Sequence, residues 1–123
     1  MKHISTSIFA LVILVSCQNT NSSIDNSIRI LQTSYSPDKR CYFTITEFGI
    51  DSNDIDASTQ VMVNFKRTGS GAYSIRGINK KLKAYWKDNS TIVIETFKTY
   101  ESGQKWPQVQ SFNDIIRIEY LEK

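Results

Sequence analysis

The residues of this chain that could do chemistry are few. It has one histidine, His3, and two cysteines, Cys17 and Cys41. With no histidine after position 3, the rest of the chain cannot build a Ser-His-Asp triad, a Cys-His pair or a histidine-ligated zinc or copper site. Cys41 lies in Arg40-Cys41-Tyr42-Phe43, on the alternating face shared with Phe43 and Ile45. It is therefore expected as a small buried apolar residue rather than an activated nucleophile. The acidic stretch Asp51-Ser52-Asn53-Asp54-Ile55-Asp56 offers closely spaced oxygens of the kind that wrap Ca²⁺. Yet Ile55 stands where a further acid is required, and no glycine follows, so a solvated loop is expected. Glu47, Glu95 and Glu119 fall in strand-like segments. Glycoside hydrolysis needs two carboxylates at a defined separation, and position along the chain brings no two of these together. No catalytic residue, metal or cofactor is assigned.

Binding chemistry has more to work with. The formal net charge is +3, and seven basic residues with no acid occupy Lys66 to Lys87. Strand alternation would place Lys81, Lys83, Tyr85 and Lys87 on one face. Such a face suits an anionic headgroup, a cell-wall polymer or an acidic protein, although lysines also guard sheet edges against aggregation. Trp106-Pro107 follows Gly103 in a loop. There Trp106 would either cover one end of the core or stand exposed as a binding residue. The candidate binding residues are thus Lys81, Lys83, Tyr85, Lys87 and Trp106.

Those residues must be positioned by a domain that begins well after the first residue. Residues 1–16 carry one full charge, Lys2, and an apolar run from Ile8 to Val15. A positive start followed by a short apolar stretch has the pattern of a secretory signal peptide. The run falls short of the roughly 18–20 apolar residues of a membrane span. It ends at Leu14-Val15-Ser16-Cys17. This sequence resembles the lipobox of bacterial lipoproteins: an aliphatic residue, two smaller residues, then cysteine. The resemblance implies cleavage before Cys17, diacylglycerol on its sulfur, and attachment to a membrane through the N-terminal lipid. Because Gln18 rather than aspartate follows, it also implies export to the outer membrane, facing the periplasm. Nucleic acid is not an expected partner of an exported protein. Gln18 to Asn26 is polar and low in complexity, the composition of a flexible tether. The expected divisions are 1–16 signal peptide, 17–26 lipidated N-terminus and tether, and 27–123 a single domain.

Within 27–123 the apolar residues alternate with a period of two. Ile28 and Ile30 open the first run, which ends at Ser36-Pro37-Asp38-Lys39, with proline at the second position of a turn. Cys41, Phe43 and Ile45 follow, then Val61, Val63 and Phe65, and a turn is expected at Gly69-Ser70-Gly71. Tyr73 and Ile75 come next, then Leu82, Ala84 and Trp86, with a turn at Asp88-Asn89-Ser90. A strand from Ile92 to about Lys98 and the series Ile116, Ile118, Tyr120 complete the pattern. No amphipathic helical stretch appears. The expectation is an all-β domain, a small antiparallel β-sandwich or barrel of seven or eight strands, with Trp86 in its core.

The Ser36-Pro37-Asp38-Lys39 turn, with Trp86-Lys87-Asp88-Asn89-Ser90-Thr91-Ile92, resembles two kinds of sequence. One is the β-propeller blade of the Ser-Pro-Asp-Gly-Lys type. The other is a set of small uncharacterised bacterial envelope domains that begin with Ser-Pro-Asp and end in an isoleucine-rich strand. The chain length suits the second, which implies no established activity. The expectation is a lipid-anchored envelope protein acting as a non-enzymatic binding or structural module, whose partner is an envelope protein or an anionic polymer. The alternatives are a periplasmic immunity or inhibitor lipoprotein, and a hydrolase using Glu95 or Glu119.

Overall fold

The computed structural model describes residues 27–123. The expected signal peptide, the expected lipidation at Cys17 and the expected tether lie outside the described residues. The domain is all-β and is built from β1 (Ile28–Tyr35), β2 (Tyr42–Phe48), β3 (Ser58–Asn64), β4 (Gly69–Arg76), β5 (Lys83–Asp88), β6 (Thr91–Thr96), β7 (Ser102–Lys105), β8 (Gln108–Ser111) and β9 (Asp114–Glu122). Two sheets form, in the orders β1-β2-β3-β4-β7 and β5-β6-β9-β8.

The alternation that defines the strands also defines the core. Phe43 and Ile45 of β2, Val61 and Val63 of β3, and Tyr73 and Ile75 of β4 turn inward from the first sheet. Ala84, Ile92, Ile94, Ile116 and Ile118 meet them from the second, with Trp86 and Tyr120 packed at the margins. Cys41 is buried in this core as a free thiol, and burial raises its pKa above the ordinary thiol value. Burying this many β-branched and aromatic side chains is the main source of stability for so small a domain.

The structure departs from expectation in three places. There are nine strands, because the four-residue β7 and β8 flank Trp106-Pro107 where a loop is expected. These segments are polar and mostly exposed, so they lack the alternation that marks a half-buried strand. Gly69-Ser70-Gly71 is the first part of β4, and the turn lies earlier, closed by the Phe65 amide donating to the Thr68 carbonyl at 2.7 Å. A β-carbon at position 71 would sit 2.8 Å from the Gln104 side-chain oxygen of the neighbouring strand, so a larger residue there would require that flexible side chain to move. Finally, the sandwich is not wholly antiparallel, since β6 and β9 pair in parallel.

Both flanks of the sandwich are closed by side chains bonding to backbone. On one, the Trp86 indole N–H donates to the Ser34 carbonyl at 3.0 Å, and the Gln32 amide donates to the Ala84 carbonyl at 3.4 Å. These bonds tie edge strand β1 to edge strand β5 and occupy backbone groups that an edge would otherwise offer to another chain. On the other, the chain crosses between sheets at Trp106. The Trp106 amide donates to the Ala72 carbonyl at 2.9 Å, and the Tyr120 hydroxyl donates to the Trp106 carbonyl at 2.7 Å. Desolvation raises the Tyr120 phenol well above its usual range, so it stays a donor.

At one end of the sandwich the two turns singled out in the sequence meet. The Asp38 amide donates to the Asn89 side-chain oxygen at 3.0 Å, and Arg40 pairs with Asp114 at 2.7 Å. Lys39 adopts φ 59°, a left-handed conformation that favours glycine. Lys39→Gly is expected to raise stability by about 0.5 kcal/mol, the relief of left-handed strain less the entropy glycine adds to the unfolded chain. Urea denaturation of the two proteins checks the sign.

Candidate anion-binding site

The opposite end of the sandwich holds the candidate site, and one buried carboxylate organises it. Glu47 continues the inward face of Phe43 and Ile45 and is only 4% exposed. An unpaired charge there would be costly. One of its oxygens accepts from the Arg29 guanidinium at 2.9 Å, and the other accepts from the Asn79 backbone amide at 2.7 Å. Asn79 belongs to segment 77–82, which joins β4 to β5. Positive φ angles at Gly77 (94°) and Asn79 (59°) bend this segment across the end of the core. The Gly77 amide donates to the Ala57 carbonyl and the Thr59 hydroxyl donates to the Gly77 carbonyl, each at 2.8 Å. Ile78 is buried beneath the segment.

The segment delivers its lysines against a second one, 97–100, which follows β6. The Lys81 amide donates to the Tyr100 hydroxyl at 3.0 Å, and the Lys80 ammonium lies 5.2 Å from the centre of the Tyr100 ring. Tyr100 is itself set edge-on to Phe97, with ring centres 5.2 Å apart. Between these segments lies a depression of about 350 Å³, lined by Lys80, Lys81, Lys83 and Lys123 together with Leu82, Phe97 and Glu95. Lys123 arrives because β9 runs parallel beside β6, and its ammonium pairs with Glu95 at 3.1 Å. Lys80, Lys81 and Lys83 take part in none of the ion pairs found among the described residues. Four lysines and one glutamate therefore line a concave surface. That arrangement attracts an anion and discriminates against a cation.

The five binding residues expected from the sequence are not brought together. Lys81 and Lys83 line the depression. Tyr85 and Lys87 continue along the outer face of β5, and Lys87 is held by Glu119 at 3.2 Å. Trp106 is on the other flank, 51% exposed, and does not cover the core. Lys123 was not foreseen, because nothing in its own neighbourhood signals that β9 will lie beside β6.

The remaining candidates are occupied by local structure. Asp51 accepts from the Asn53 amide at 2.9 Å, and Asp54 accepts from the amides of Asp56 and Ile50 at 3.0 and 3.2 Å. These carboxylates cap the backbone of their own loop. Among the described residues no group of three or more His, Cys, Asp or Glu is placed to hold a metal ion. Glu95 and Glu119 are each paired with a lysine. A wider hollow of about 610 Å³ at the other end borders Arg40 and Cys41, but there Arg40 is already engaged by Asp38 and Asp114.

Compared with known proteins, the chain matches no family model, no curated protein and no solved structure.

If Glu47 holds segment 77–82 in place, Glu47→Ala should cost about 1–3 kcal/mol, less than a fully buried pair because Arg29 remains half exposed. Hydrogen exchange should show accelerated exchange at the Asn79 amide. Glu47→Gln, which keeps an oxygen acceptor, should restore part of that protection. Unchanged exchange in the alanine variant would remove Glu47 as the organiser of the site.

Proposed function

We propose that this chain is a lipid-anchored protein of a bacterial envelope, held to its membrane through Cys17, whose β-sandwich is a non-enzymatic module that binds anionic groups. The observation that carries the binding reading is the depression at Lys80, Lys81, Lys83 and Lys123, where a single carboxylate opposes four cations. The anchor reading is carried by Leu14-Val15-Ser16-Cys17, placed directly after an apolar run. A single acyl chain gives only marginal membrane attachment, so the several chains of a lipoprotein-type N-terminus are what this reading requires. An envelope protein with an acidic surface and an anionic polymer both fit a lysine-lined concavity. A hydrolase draws no support from Glu95 and Glu119, since each is neutralised by a lysine on the outer face of its sheet.

Two measurements test the proposal separately. In growing cells, the wild-type chain should incorporate labelled palmitate and Cys17→Ala should not. Absence of label from the wild type refutes the anchor. On a polyanion resin, the double variant Lys81→Ala, Lys83→Ala should elute at lower salt than the wild type. Identical elution would remove the lysine surface as a binding site.

A further inference from the structure

The depression lies at the end of the sandwich where the tether enters. Residue 27 leads into β1, and its carbonyl accepts from the Gly49 amide at 2.8 Å. Arg29, two residues on, is joined through Glu47 to Asn79, on the segment that carries Lys80 and Lys81. Lys98 stands at the same end, its amide donating to the Lys123 carbonyl at 3.0 Å. The other turns, with Lys39, Lys66 and Arg67, lie one strand length away, about 25 Å for eight residues.

From Cys17 to residue 27 the chain can reach at most about 35 Å even when fully extended. An anchor at Cys17 therefore brings the chain in at this end of the domain, and the opposite pole, about 25 Å further on, meets the bilayer only when the tether is nearly extended and the domain inverts. We propose that Lys80, Lys81, Lys83 and Lys123 dock the domain on the phosphate groups of the membrane that holds Cys17. The inference rests on the lipid-anchor reading above. Lysine stems are long enough to present their ammonium groups at a surface while the backbone stays above it. Among the described residues, Lys80, Lys81 and Lys83 form no ion pair that docking would have to break. The anchor also makes the encounter intramolecular, so that modest attraction at each lysine suffices.

The charges also set the tilt. Asp51, Asp54 and Asp56 occupy the β2–β3 connection at the same end, but they belong to the other sheet. An anionic surface repels them, so the sheet bearing β5 and β6 leans toward the headgroups and the β2–β3 connection leans away.

The test uses the lipidated full chain, purified from membranes and reconstituted into vesicles of phosphatidylcholine, with or without phosphatidylglycerol. Lysines are then modified with an amine-reactive acetylating reagent and quantified by mass spectrometry. With phosphatidylglycerol present, Lys80, Lys81 and Lys83 should react several-fold more slowly, Lys66 should be unaffected, and high salt should abolish the difference. In Lys81→Gln, Lys83→Gln, protection of Lys80 by phosphatidylglycerol should fall several-fold while the protein still floats with the vesicles. Equal reaction in both vesicles, with the protein still floating on them, overturns docking and leaves the anchor standing. Protein that does not float with the vesicles overturns the anchor, and docking with it. Equal protection in phosphatidylcholine vesicles on adding inorganic phosphate alone also overturns docking, because the site would then take a free anion.

Discussion

The architecture of the lysine-bearing end depends on a carboxylate in a place where carboxylates are expensive. Glu47 occupies the last inward position of β2, where the pattern set by Phe43 and Ile45 calls for an apolar residue. A charge so buried persists only with partners for both oxygens. Glu47 takes one from the strand beside it, through Arg29, and one from a segment distant in sequence, through the Asn79 amide. The second bond fixes segment 77–82 over the open end of the core. It thereby decides where Lys80 and Lys81 point. An apolar residue at position 47 would bury as well and organise nothing.

The fold class was legible because nearly every core residue sits in an alternating run. Phe43, Ile45, Val61, Val63, Ile75, Ile92, Ile94, Ile116 and Ile118 are all buried, and each belongs to a segment read as a strand from its period. Trp86, expected in the core because it shares a face with Ala84 opposite Lys83, Tyr85 and Lys87, packs against the core while remaining partly exposed. What could not be read depends on tertiary partners. The strands β7 and β8 are strands because β4 and β9 offer them edges, not because of their own pattern. The parallel pairing of β6 with β9 leaves no local trace either, and Lys123 reaches the site through it.

The basic run from Lys66 to Lys87 shows how sequence proximity misleads. It spans one strand down and one strand back. Lys66 and Arg67 therefore end at the opposite pole from Lys80 and Lys81, and Lys87 returns toward the first pole to meet Glu119. One stretch of charge becomes two surfaces. The surface that matters is completed by a residue from the far end of the chain. The acidic stretch at Asp51–Asp56 has a different explanation: its side chains replace a regular turn by accepting from their own amides.

The order of the second sheet bears on how the molecule comes into being. β9 is the last strand in sequence, yet it lies in the interior of the sheet, between β6 and β8. The isoleucines at 116 and 118 are among the core side chains it supplies. A chain emerging from its N-terminus can close β1 through β4 by successive local hairpins, but β6 lacks one of its two neighbours until residues 114–122 arrive. That pairing is non-local, the class of contact that is slowest to form. Until that moment the polypeptide has half a sandwich and an uncovered apolar face. Such a chain cannot complete its second sheet until its last strand is made, and the sheet then closes from its interior outward.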